Sequence, residues 1–127
     1  MERRRVFSRV RWESEVGYCR ALRVGNLVYV SGTAPIDENG RVFAPGDAYR
    51  QTQFCLQKAI ASLQELDATV EDVVRTRLYV TDISRASEYG RSHQEFFGDC
   101  PPVTAMVEVK ALIDPEMLVE IEVEAIS

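Results

Sequence analysis

Two stretches near the end of the chain alternate apolar and polar residues without a break. In 103–109 (VTAMVEV), Val103, Ala105, Val107 and Val109 share one face, and Thr104, Met106 and Glu108 the other. In 118–127 (LVEIEVEAIS), Val119, Ile121, Val123 and Ala125 oppose Glu120, Glu122 and Glu124. Alternation with period two is the pattern of a strand with one buried face. Same-face neighbours lie roughly 7 Å apart, so a row of carboxylates repels itself unless a cation answers it. Both apolar faces are expected to build the sheet, and the polar faces are either solvated or the wall of a site. An earlier run, 73–82 (VVRTRLYVTD), is also β-prone, with Val74, Thr76, Leu78 and Val80 alternating with Val73, Arg75, Arg77, Tyr79 and Thr81. The segment YCRALRVGNLVYVSGT reads as two strands, 18–24 and 27–33, closed by the hairpin signal Gly25-Asn26.

Helical spacing appears twice between these strands. After a tight turn at Asn39-Gly40 and a break at Pro45-Gly46, Asp47 can cap a helix running to about Leu66. Its buried stripe would be Ala48, Thr52, Cys55, Leu56, Ala59, Ile60 and Leu63. A second helix starts at Asp82 or Ser84, with Ile83, Ala86, Tyr89, His93, Phe96 and Phe97 on one face, and Pro101-Pro102 ends that region. The order β-β-α-β-α-β-β predicts an α+β fold, a mixed α/β sheet carrying two helices on one face. Nothing in the chain is left to cover the other sheet face, so burial against further copies of the protein is expected.

Composition narrows the function classes. With 127 residues and no linker, repeat or low-complexity segment, 1–127 is read as a single domain. The net charge of −5, from 15 basic against 20 acidic residues, argues against a dedicated nucleic-acid binder, whose affinity rests on neutralising phosphates. RVRW (9–12) and RTR (75–77) are local basic clusters, and Arg3, Arg4 and Arg5 are expected as a solvated arm. No apolar run reaches the roughly 20 residues needed to cross a bilayer, and the N-terminus lacks the apolar core of a signal peptide. A cytoplasmic protein without a membrane partner is the expectation. Cys19, Cys55 and Cys100 are odd in number, widely spaced and free of any C-x-x-C pair, which suggests neither a disulfide framework nor a zinc ribbon. Cys19 and Cys55 read as core residues and Cys100 as the most exposed. One histidine, His93, cannot build a multi-histidine metal site, so no structural metal is expected.

The segments GYCRALRVGNLVYVSGT, VEDVVRTRLYVTDI, EFFGDCPPVTAMVEV and MLVEIEVEAI together resemble the reactive-intermediate deaminase family, RidA/YjgF, in order and over nearly the whole chain. The resemblance implies a chorismate-mutase-like fold, a homotrimer, and small-molecule clefts between neighbouring subunits. It also implies cofactor-independent hydrolysis of enamine or imine intermediates to a keto acid and ammonia. Some members carry older names as translation inhibitors or endoribonucleases (the L-PSP type). Carried over by position, the cleft tyrosine of the family falls on Tyr18, its serine-glycine pair on Ser31 and Gly32, and its water-positioning catalytic glutamate on Glu122.

One position departs from the pattern. Aligned on Val107-Glu108-Val109, the arginine that grips the substrate carboxylate in the family falls on Thr104, with Met106 two residues further along the same face. A family asparagine becomes Gly90, and His93 stands where an aromatic residue is common. A bidentate arginine–carboxylate pair is directional and charge-assisted, whereas threonine offers one hydroxyl contact. Arg20, Arg75 and Arg77 are candidate replacements for the missing cation, against the alternative of ordinary ion pairs, and Arg20 lies two positions from Tyr18. Glu122 is read as a water-orienting base or a plain polar wall residue. Glu120 and Glu124 are read as surface or interface charges, and His93 as a structural residue or an acid/base. The substrate-binding set is thus Tyr18, Ser31, Gly32, Thr104, Met106 and Arg20. The functional reading is imine or enamine hydrolysis with altered substrate choice. The alternatives are a non-catalytic small-metabolite-binding or regulatory trimer, and an endoribonuclease.

Overall fold

The computed structural model describes residues 1–8 and 10–127. Strands β1 (Arg3–Val6), β2 (Ala21–Val24), β3 (Leu27–Thr33), β4 (Val73–Val80), β5 (Val103–Glu108) and β6 (Val119–Ile126) form one sheet, in the order β1-β2-β3-β6-β4-β5. Every neighbouring pair is antiparallel except β4 and β5. Parallel neighbours need a crossover connection, and the helix α3 (Ala86–Phe97) supplies it. Together with α2 (Ala48–Glu65), α3 covers one face of the sheet. Cys55, Leu56, Ala59 and Leu63 of α2 and Tyr89 and Phe97 of α3 bury themselves against Val28, Leu78, Val80, Val119 and Ile121. The expected α+β class, with two helices on one face of a mixed sheet, is the class observed.

Local chemistry explains the element ends. Gly25 takes φ 59° at the first central position of the two-residue loop between β2 and β3, the place where a II′ hairpin turn needs a glycine. Gly46, at φ 81°, turns the chain into α2, and the Asp47 carboxylate accepts the Arg50 amide at 2.9 Å. Asp47→Ala leaves that amide without its cap and is expected to cost about 1 kcal/mol. The check is the urea midpoint, which should fall with the denaturant slope unchanged.

Several expectations are corrected. Arg3, Arg4 and Arg5 are not a free arm: Arg3–Val6 pairs with Ala21–Val24 as an edge strand, and Arg4 donates to Asp67 at 2.8 Å. The short helix α1 (Arg11–Val16) follows, closed by Gly17 at φ 92°, whose amide donates to the Glu13 carbonyl. The order is therefore β-α-β-β-α-β-α-β-β. Backbone pairing at a sheet edge does not depend on side-chain pattern, so three arginines with solvated heads concealed the strand. The first of the two hairpin strands also begins at Ala21 rather than at residue 18.

At the start of β4 the register shifts between Val73 and Arg75. Val73 opposes Ala125 and Arg75 opposes Glu124, so the strand spends one extra residue there. Val73 consequently turns into the core, and Val74, which alternation groups with Thr76, Leu78 and Val80, is 41% exposed.

A further correction concerns the two faces of β5. Thr104 pairs with Thr76 and Met106 with Leu78, both residues of the helix-covered face. Thr104 and Met106 therefore point toward the helices, and Met106 packs on the core. Val103 and Val107, 57% and 46% exposed, lie on the open face, where Glu120, Glu122 and Glu124 also stand. Thr104 and Glu122 of one chain are thus on opposite sides of the sheet. Alternation fixes which residues share a face; pairing with β4 decides which face meets the helices.

Candidate functional site

The carboxylate row of β6 is met by a complementary row on β4. Arg75 stands opposite Glu124, Arg77 opposite Glu122 and Tyr79 opposite Glu120. Such cross-strand neighbours are the pairs that interact most strongly in a sheet. Arg77 Nη1 lies 2.8 Å from Glu124 Oε2 and 3.8 Å from Glu122 Oε1, and Arg75 Nε lies 3.7 Å from Glu124 Oε2. The Tyr79 hydroxyl donates to Glu122 Oε1 at 2.6 Å. That bond is the main reason the phenol is held above its usual range, with burial and the Glu122 charge adding to it. Oε1 of Glu122 is therefore fixed from two sides.

Around this row the open face hollows into a cleft of about 830 Å³, whose lining includes Tyr18, Cys19, Tyr29, Ser31, Arg77 and Glu122. The tight exit from α1 at Gly17 delivers Tyr18 to the rim. Ser31 has its backbone amide on the Arg20 carbonyl at 3.0 Å and its hydroxyl on the Cys19 carbonyl at 2.7 Å, so its rotamer is set by the neighbouring segment. Arg5, Phe7 and Glu13 close the wall. Glu13 is buried and holds that wall together by accepting both the amide and the hydroxyl of Ser8. Arg5 and Glu13 come from β1 and α1, the two elements the sequence pattern concealed, and Phe7 and Ser8 from the segment after β1. Nothing in the run Arg3-Arg4-Arg5-Val6 signals a strand, since three successive arginines show no alternation.

Gly32 adjoins the cleft for a steric reason. The register of β3 against β6 shifts between Val30 and Thr33, and a Cβ on Gly32 would sit 2.7 Å from Glu120 Oε1. Glu120 folds beneath that glycine. Burial is the chief cause raising its carboxyl above the ordinary range, with the attraction of Arg20 opposing it and the Glu122 charge reinforcing it. Arg20 does not reach into the cleft. Its Nη2 donates to the Gly32 carbonyl at 2.7 Å, so it braces the shifted segment. Cys19, expected in the core, is half-buried at the cleft, whereas Cys55 is fully buried, and that burial pushes its thiol far up.

The remaining expected residues form a second, separate cluster on the helix side of β5. His93 Nε2 lies 2.8 Å from Thr76 Oγ1 and 3.5 Å from Thr104 Oγ1, and the two threonine hydroxyls are 2.7 Å apart. Thr76 is fully buried and Thr104 exposed, so this line of hydroxyls runs from the interior to the surface. The His93 ring packs 4.7 Å from that of Phe97, and burial holds its pKa below the ordinary value. Gly90, a turn earlier on α3, leaves open space where a side chain would be. The structure thus gathers Tyr18, Ser31 and Glu122, with Gly32 beside them, and sets Thr104 and Met106 apart from them with His93. Among the described residues no three His, Cys, Asp or Glu side chains gather as a metal cluster, and no helix is long and apolar enough to cross a membrane.

The family model described as endoribonuclease L-PSP matches residues 8–127. An uncharacterized protein of Streptomyces coelicolor is 35% identical, over 96% of this chain and 90% of its own. The 3-aminoacrylate deaminase RutC of Acinetobacter baylyi is 32% identical over 82% of each chain. Among solved structures, Rv2704 of Mycobacterium tuberculosis, a member of the YjgF/YER057c/UK114 family, superimposes with a TM-score of 0.90 at 47% identity, covering 99% of this chain and 100% of its own.

Proposed function

We propose, for a chain that belongs to the endoribonuclease L-PSP family (RidA/YjgF/RutC), that its cleft hydrolyses imines or enamines of altered substrate class, in the cytoplasm and without a cofactor. The observation that carries this reading is Glu122, whose Oε1 is held by Tyr79 and Arg77 while its second oxygen remains to orient a water. Water adds to the C=N carbon as Glu122 takes its proton, and the proton passes to nitrogen. Collapse of the carbinolamine then releases ammonia, so imine plus water gives a carbonyl compound plus ammonia. An enamine enters by protonation at carbon. The relative named as a 3-aminoacrylate deaminase supports this chemistry.

Substrate choice follows from Thr104. The family's carboxylate-gripping arginine is replaced there by a neutral hydroxyl, so carboxylate-free imines are the favoured class. The cleft is completed between copies of the chain in a homotrimer. Two features support that assembly: Thr104 and Glu122 lie on opposite faces of one subunit, and the open face exposes Leu27, Tyr29, Val103, Val107 and Ile126. A second reading, a non-catalytic metabolite-binding trimer, is favoured by Arg77, whose contacts with Glu122 and Glu124 hold the carboxylate row as a fixed polar wall. Ribonuclease action fits less well with a net charge of −5.

The discriminating assay adds the protein to imines generated in situ, one series from amino acids by a pyridoxal-phosphate lyase and one from uncharged amines. Faster decay of the uncharged series, with ammonia released in equal amount, is the expected result. Decay of both series at the buffer rate removes the enzyme and leaves the binding reading.

A further inference from the structure

We infer that the line His93–Thr76–Thr104 is a proton-controlled specificity element, which presents a hydrogen-bond donor and a nearby positive charge to an anionic ligand only when His93 is protonated. The inference rests on the proposed cleft, because it takes Thr104 to face the ligand.

The hydrogen counting is decisive. Each threonine hydroxyl has one proton to donate, and contacts of 2.8 and 2.7 Å couple His93 Nε2, Thr76 Oγ1 and Thr104 Oγ1 into one line. A neutral ring can accept at Nε2. Thr76 then donates to it, Thr104 donates to Thr76, and Thr104 turns its lone pairs outward to accept an N–H from the ligand. The cation has no acceptor and must donate. Thr76 then passes its proton toward Thr104, and Thr104 directs its own outward, the polarity a carboxylate needs. A neutral ring permits either direction, whereas a charged ring permits only this one. Thr76 is fully buried, so the inner member of the line is shielded from solvent.

Groups facing His93 are neutral: Thr76 from β4, Thr104 from β5 and the Phe97 ring of its own helix. Charges on the packed elements are engaged elsewhere. On α3, Arg85 pairs with Glu88, Glu95 accepts from Tyr49 of α2, and Arg91 lies over the Tyr49 ring. Cys100, just past α3, has its thiol directed to the Val70 carbonyl. Arg75 and Arg77 pair with Glu124 on the other side of the sheet. Burial is the sole cause of the downward shift of His93, so the free chain holds a neutral ring at pH 7 and offers no cation where the family's arginine would stand. An arriving carboxylate favours the proton, and by reciprocity the proton favours the carboxylate.

His93 is the only histidine in the chain, so its ring Hε1 resonance can be followed by NMR without assignment. Pyruvate serves as the probe anion. Saturating pyruvate is expected to raise the His93 midpoint. Above the free midpoint, the pyruvate Kd should rise about tenfold per pH unit until binding to the neutral form takes over. His93→Gln should bind pyruvate with a Kd that does not vary between about pH 5 and 8, while keeping the wild-type circular dichroism spectrum. Thr104→Val should abolish the pyruvate-induced shift and leave His93 titrating, which distinguishes the relay from a general charge effect. An unmoved midpoint at saturation, or an equal pH slope in His93→Gln, overturns the inference. Persisting hydrolysis of uncharged imines in that case leaves the proposed reaction standing. A moved midpoint without any hydrolysis does the reverse.

Discussion

Replacement of Glu122 by glutamine is expected to slow release of ammonia from an uncharged imine by roughly 10²–10⁴-fold, the range typical for loss of a general base. The substitution keeps the size of the side chain and its carbonyl oxygen, so the Tyr79 hydroxyl retains an acceptor at the position it now reaches at 2.6 Å. Arg77 keeps its closer partner, Glu124, at 2.8 Å. The fold should therefore survive, with a melting temperature within a few degrees of wild type. What is lost is the group that takes the proton from water, so kcat should fall while KM changes little. Steady-state kinetics of ammonia release is the measurement. An unchanged kcat would show that proton transfer happens elsewhere and that Glu122 is a wall residue of a binding cleft.

The second large effect is a gain. Thr104→Arg is expected to tighten binding of pyruvate at pH 7.5, where His93 is neutral, by on the order of 2–5 kcal/mol, about thirtyfold or more. It should also bring hydrolysis of amino-acid-derived imines into range. Thr104 is exposed on an edge strand, so a long side chain can leave the surface there without displacing core. The cost is the contact from Thr104 to Thr76, about 1 kcal/mol, and Thr76 keeps His93 at 2.8 Å as a partner. Calorimetric titration with pyruvate checks the affinity, and the lyase-coupled assay checks the reaction. Equal affinity in wild type and variant would mean that Thr104 does not face the ligand, and would remove the basis for altered substrate choice.

Much of the fold was legible because its signals are local. Asp47 before a helical stripe, Gly25 at a two-residue loop and strict alternation over 119–126 each carry their own physical cause. Tyr18, Ser31 and Glu122 could be named one at a time by resemblance, and the open face brings those three together. Arg20 shows the limit. Its place two residues from Tyr18 suggested a cleft cation, yet the carbonyl of Gly32, twelve residues on, takes its guanidinium. The cation that answers the glutamates comes instead from β4, because antiparallel pairing sets Arg75 and Arg77 opposite Glu124 and Glu122.

By itself the sequence determined the class of fold, the Asp47 cap and the Gly25 turn, the family, and which residues of β5 and β6 share a face, since all of these depend on residues near one another or on a pattern spread over the whole chain. Tertiary structure alone decided which face of β5 meets the helices, that Arg3–Val6 closes the sheet edge and walls the cleft, and that His93, Thr76 and Thr104 touch. The reason is pairing register: alternation is symmetric between two faces, and only the neighbouring strand breaks that symmetry.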